Sequence, residues 1–278
     1  AGNGVFAQPV LARSAAVEQI ILVLWHGLDW SDIGGLQFDV PVALGLLNAR
    51  SGGGEALSAS HLTISAGARA VGLGGAAVFY DDDVVGKDLY RRNTGLEPTT
   101  LVQPKIAQIH AVQTASYRIE PGALGTALAE AGVPLRVLGN SDGLETFSWA
   151  ALVGMDGWGR VWQGSVGPEF TIMDGSYPYG LRTDYARLYF EVVQAAEPLV
   201  VVDLGDRFRY DQYQSQLVPA QKETMGMIIA EEAQLFLKDI VENRSPQTVV
   251  LLISPHPSQA SASRGYWLTP VGAKQRAF

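Results

Sequence analysis

Residues 20–27 read Ile-Ile-Leu-Val-Leu-Trp-His-Gly. Six apolar side chains run without a polar break and stop at a histidine and a glycine. An amphipathic helix would interrupt such a run with polar residues, and a half-exposed strand would alternate. The run therefore reads as a strand buried on both faces of a parallel sheet. Residues 199–203 (Leu-Val-Val-Val-Asp) and 249–254 (Val-Val-Leu-Leu-Ile-Ser) repeat the pattern, and residues 135–138 give a shorter version ending at Gly139. Helical patterns separate the runs. Pro121 stands at a first helical position and Gly132 at a stop. Residues 185–195 and 219–242 are longer amphipathic stretches, the second with Met225, Ile228, Ile229, Ala233, Leu235, Phe236 and Ile240 near helical spacing. This alternation predicts an α/β fold with a doubly wound, mostly parallel sheet.

The middle of the chain departs from that pattern. Residues 149–155 and 160–162 flank Asp156-Gly157-Trp158-Gly159, which predicts a small β-hairpin on an Asp-Gly turn. Residues 144–180 read as a cap or insertion within a single domain of residues 1–278, a length that suits one large α/β unit. With 47% hydrophobic and 17% charged residues, the chain has ample material for a core. The absence of cysteine excludes a disulfide scaffold, thiol catalysis and zinc fingers. A net charge of −8 makes nucleic acid a poor partner, because such binders displace counterions with clustered Lys and Arg. The apolar runs are far shorter than the roughly 20 residues that cross a bilayer. Low charge and lack of cysteine agree with an extracellular or cell-surface location.

In open α/β sheets chemistry gathers at the carboxyl ends of the strands. His26, Gly27 and Asp29 follow the first run; Asn140, Ser141 and Asp142 follow Gly139; Asp203, Asp206 and Tyr210 close the third run; Ser254 and His256 close the last. Each also fits the plainer role of a cap or turn residue. His61 and His110 lie in apolar, helix-like settings and read as structural. Residues 139–143 fit the G-x-S-x-G elbow, and the order Ser141, Asp203 or Asp206, His256 is that of an α/β-hydrolase triad. One reading is therefore a serine hydrolase, although Asp142 beside the serine would repel an oxyanion.

A second constellation covers more of the chain. Residues 21–30 (Ile-Leu-Val-Leu-Trp-His-Gly-Leu-Asp-Trp), 61–69 (His-Leu-Thr-Ile-Ser-Ala-Gly-Ala-Arg) and 251–257 (Leu-Leu-Ile-Ser-Pro-His-Pro) occur in a telling order. They resemble, in turn, the first strand with its Asp-Gly metal ligand, the segment behind the nucleophile, and the strand ending in Asp-His-Gly of the alkaline phosphatase superfamily. The likeness is greatest to the cofactor-independent phosphoglycerate mutase branch. The resemblance implies that fold and a metal-dependent phosphate or sulfate ester hydrolase or mutase. In such enzymes two Zn²⁺ or Mn²⁺ ions, held by Asp and His, activate a Ser or Thr alkoxide.

Carried over residue by residue, the family pattern is damaged. The first-strand Asp is His26, and the Asp of Asp-His-Gly is Pro255. A gapless count back from His61 places the nucleophile at Leu57, so Ser58 is the nearest hydroxyl. The Asp-x-x-x-His pair reads Asp206 and Tyr210. By this resemblance His26, Asp206 and His256, with Asp203 in support, would hold at most one Zn or Mn ion. The expectation is an exported domain with the superfamily fold and a degraded centre, serving a binding, regulatory or scaffold role. The alternatives are an ester hydrolase or mutase with altered ligands using Ser58, and the Ser141 hydrolase. Residues 268–271 resemble a segment that in relatives precedes further sequence, so association with a cell surface or membrane would run through sequence outside this chain.

Overall fold

The computed structural model describes residues 16–28, 32–33, 42–81, 83–113, 119–258 and 268–275. Asp29 lies outside them. The main sheet is built from seven strands: β1 (Gln19–Trp25), β2 (Ala43–Asn48), β3 (Leu135–Gly139), β4 (Gln163–Ser165), β5 (Leu199–Leu204), β6 (Thr248–Ile253) and β7 (Leu268–Gln275). Their order across the sheet is β2-β7-β6-β1-β5-β3-β4. The five strands from β6 to β4 run parallel, with Leu22 of β1 opposite Leu251 and Val201. β7 and β2 extend one side as antiparallel strands. The apolar runs at 20–25, 135–138, 199–203 and 249–254 thus form the parallel centre, as their composition predicts. The antiparallel edge has no counterpart in those runs.

Eight α-helices are described: α1 (Ala56–Ala66), α2 (Val84–Thr94), α3 (Ile106–Ala111), α4 (Ala123–Glu130), α5 (Trp149–Gly154), α6 (Tyr185–Gln194), α7 (Gly205–Tyr213) and α8 (Pro219–Asn243). Capping explains several boundaries. Glu55 accepts hydrogen bonds from the backbone of Leu57 and Ser58 to start α1, and Asp184 does the same for α6 through Arg187 N. Pro219 sits in the first turn of α8, where its missing N–H costs nothing.

Alternate residues of each central strand feed two cores. Ile21, Val23 and Trp25 face one side with Val200, Val202 and Leu204, against Leu188 and Val192 of α6 and Phe236, Leu237 and Ile240 of α8. Leu22, Leu24 and Val201 face the other, against Leu62 of α1 and Trp149–Val153 of α5. The sheet is doubly wound. Among the described residues no helix is long and apolar enough to cross a membrane.

Residues 149–154 correct the sequence reading. They form a helix rather than the first arm of a hairpin, and all six residues are buried. A short run that is apolar on every side satisfies either state, and here the space between α1 and the sheet decides it. The Asp156–Gly159 turn follows as expected, but Arg160–Val161 pairs antiparallel with Leu101–Val102 instead. An antiparallel pair does occur nearby, between Thr171–Met173 and Leu181–Thr183.

Candidate functional site

The carboxyl ends of β1, β3, β5 and β6 meet in one buried polar cluster. His26 leaves β1 and turns at Gly27, whose φ of +61° suits glycine; a Cβ there would overlap the Asp211 carboxylate. Leu28 N donates to Ser254 Oγ at 3.0 Å, and Ser254 Oγ donates to the His256 carbonyl at 2.8 Å, which ties the β1 and β6 ends together. Gly139 ends β3 with φ +107°, where a Cβ would run into the Asp203 backbone. That close approach sets Ser141 beside the end of β5.

Four side chains form a continuous relay. Ser141 Oγ donates to Asp203 Oδ2 at 2.7 Å. Asp203 Oδ1 lies 2.7 Å from His26 Nε2. His26 Nδ1 lies 3.2 Å from His256 Nε2, and His256 Nδ1 lies 3.1 Å from the Pro257 carbonyl. Ser141, Asp203 and His26 are each 0% exposed. Desolvation, reinforced by the neighbouring His26, pushes the His256 ring down to about 3. One assignment of protons satisfies every contact. Neutral His256 donates through Nδ1 to Pro257 and accepts at Nε2. His26 then donates from both nitrogens, to His256 and to the Asp203 carboxylate.

His61 of α1 joins this cluster, although its apolar surroundings in the sequence read as purely structural. Its ring lies 5.3 Å from that of His26 and stacks on Trp149 at 4.3 Å with an interplanar angle of 16°. Its Nδ1 is 2.7 Å from the Leu57 carbonyl, and its buried Nε2 has no hydrogen-bond partner among the described residues. Burial, then the neighbouring His26, holds its pKa well below the ordinary value. No sequence signal marks it beyond its place in the family-like 61–69 segment.

The other candidates lie elsewhere or are otherwise engaged. Asp206 is buried in the first turn of α7, where Oδ1 accepts from Thr183 N and from Arg209 Nη2, both at 2.8 Å. Arg209 also donates to the carbonyls of Asn140 and Asp142 and to Thr183 Oγ1. Tyr210 donates its hydroxyl to the Lys222 carbonyl. Ser58 opens α1, accepts from Leu73 N and donates to backbone carbonyls of Leu73 and Glu55. No helix follows the 139–143 elbow until α5. Ser141 therefore faces a carboxylate, and no histidine is its hydrogen-bond partner. Among the described residues no group of three or more His, Asp or Glu side chains is arranged to hold a metal ion.

No family model and no curated protein matches the chain. Among solved structures, its fold is similar to that of the PH0037 protein from Pyrococcus horikoshii, with a TM-score of 0.50 and 12% identity, covering 94% of this chain and 86% of that one. Fainter likenesses, each with a TM-score of 0.43, are to a protein in the alkaline phosphatase superfamily from Vibrio parahaemolyticus (9% identity, 94% of this chain and 61% of that one) and to the C-terminal periplasmic domain of EcEptC from Escherichia coli (10% identity, 94% and 74%). At such identities the likeness is one of fold.

Proposed function

Starting from an alkaline-phosphatase-like fold, we propose that this chain is a binding domain in which a hydrogen-bonded relay, Ser141–Asp203–His26–His256, stands where relatives hold two metal ions. The observation that carries this reading is the His26–Asp203 contact. At the position where the family resemblance calls for a carboxylate ligand there is an imidazole, and the nearest carboxylate is engaged with that imidazole. Metal ligation requires a bare imidazole nitrogen, whereas both nitrogens of His26 already face hydrogen-bond partners, Asp203 and His256. Asp206 commits Oδ1 to Arg209 and Thr183 and forms an ion pair with the buried Arg209, Pro255 offers no side-chain ligand, and Tyr210 is turned to Lys222. These residues do not fit the two-metal centre. The branch of the superfamily and a place outside the cytoplasm belong to the same proposal. They are supported by the mutase-like segments, the low charge and the lack of cysteine.

Turnover of a panel of phosphate mono- and diesters and sulfate esters, with Zn²⁺ or Mn²⁺ supplied, tests this. No rate above that of buffer plus metal is expected. Metal-dependent turnover that Ser58→Ala abolishes would establish the altered-ligand hydrolase instead.

A further inference from the structure

Beside the relay lies a cavity of about 210 Å³ between the Ser141–Phe147 loop, Tyr179 and α7. Phe147, Phe208 and Tyr179 supply aromatic walls, and Ser141, Arg209, Glu145 and Gln212 supply polar groups. Three observations mark it as built for a ligand. Tyr179 has a φ of +60°, a strained conformation for a bulky residue, and sits edge-on to Tyr213 at 5.2 Å. Arg209 is 1% exposed, yet its Nε has no hydrogen-bond partner among the described residues. Such a buried donor costs free energy until an acceptor reaches it. Ser141 Oγ spends its proton on Asp203 and keeps lone pairs able to accept.

The chemistry of this lining selects the ligand. Arg209 is already paired with Asp206, and the remaining charge of the lining, the Glu145 carboxylate, belongs to an exposed residue where water and salt screen it, so no buried unpaired charge favours an ion. Donor and acceptor groups share the lining with aromatic side chains. We propose that the cavity is a subsite for a neutral, polyhydroxylated ligand of monosaccharide size. Its C–H face packs on the aromatic walls, while its hydroxyls meet Arg209, Gln212, Glu145 and Ser141. This rests on the reading of the chain as a binding domain and names the class of what it binds.

The test is saturation-transfer NMR on the full chain after chelation, with glucose, galactose, mannose, N-acetylglucosamine and ribose as probes, and inorganic phosphate and tetramethylammonium beside them. At least one sugar is expected to bind saturably, with Kd of about 1 mM or tighter. Tyr179→Ala and Gln212→Ala should each weaken it about tenfold with unchanged thermal midpoints, as lost aromatic and hydrogen-bond contacts imply. Trp158→Ala, at an exposed tryptophan outside this cavity, should leave it intact. The proposal is overturned if no sugar binds, if phosphate or tetramethylammonium binds in preference, or if binding survives Tyr179→Ala and Gln212→Ala. Metal content, measured separately, reports on the metal-free reading, so the two failures are distinguishable.

Discussion

Nε2 of His26 lies 2.7 Å from Oδ1 of Asp203, and both side chains are wholly withdrawn from solvent. The second oxygen of the same carboxylate takes the Ser141 hydroxyl. One buried carboxylate thus joins the ends of three neighbouring strands, β1, β5 and β3, and its partners are a histidine and a serine.

Removing that charge should be costly. Asp203→Asn keeps the shape but leaves His26 without its counter-ion, and breaking a buried pair from one side typically costs about 3–5 kcal/mol. Urea unfolding should show a loss of that order. A loss under about 1 kcal/mol would mean that the pair is energetically idle, in the manner of an exposed ion pair.

Stability should fall on mild acidification. The folded-state pKa of His256 is depressed to about 3 and that of His61 is also lowered, whereas both titrate near 6.5 when unfolded. Between those limits the unfolded chain binds more protons, so unfolding free energy rises with pH. The contribution is full above pH 6.5 and is lost as the pH drops below it. From pH 7 to pH 5 the His256 ring should cost about 2 kcal/mol, at 1.36 kcal/mol per pKa unit, and His61 acts in the same direction. His256→Gln should flatten the slope; a flat profile in the parent protein would refute these assignments.

A fluorophosphonate probe should leave Ser141 unlabelled. Its hydroxyl is buried and donates to a carboxylate, while a serine hydrolase needs a histidine within hydrogen-bond reach of the nucleophile. Stoichiometric labelling at Ser141, located by peptide mapping, would revive the hydrolase reading.

The parallel centre of the sheet was legible because burial on both faces leaves a compositional trace: β1, β5 and β6 are nearly pure Val, Ile and Leu. β2 has an alternating, half-exposed pattern and leaves no such trace. Strand ends pointed to His26, Ser141, Asp203 and His256, but spacing alone does not say which side chains meet. Asp203 and Asp206 are three residues apart, yet one ends a strand beside His26 and the other opens a helix beside Arg209. His61 lies in the cluster with its ring stacked on Trp149 of α5, a contact across 88 positions of sequence, from 61 to 149, that no local pattern reveals.

Metal stoichiometry probes the relay most directly. The chain is equilibrated with excess Zn²⁺ or Mn²⁺, dialysed and analysed for bound metal. If His26 and Asp203 are engaged with each other, substantially less than one equivalent should remain per chain. Retention of two equivalents would show that these side chains are metal ligands after all and that the relay is not the working state of the site.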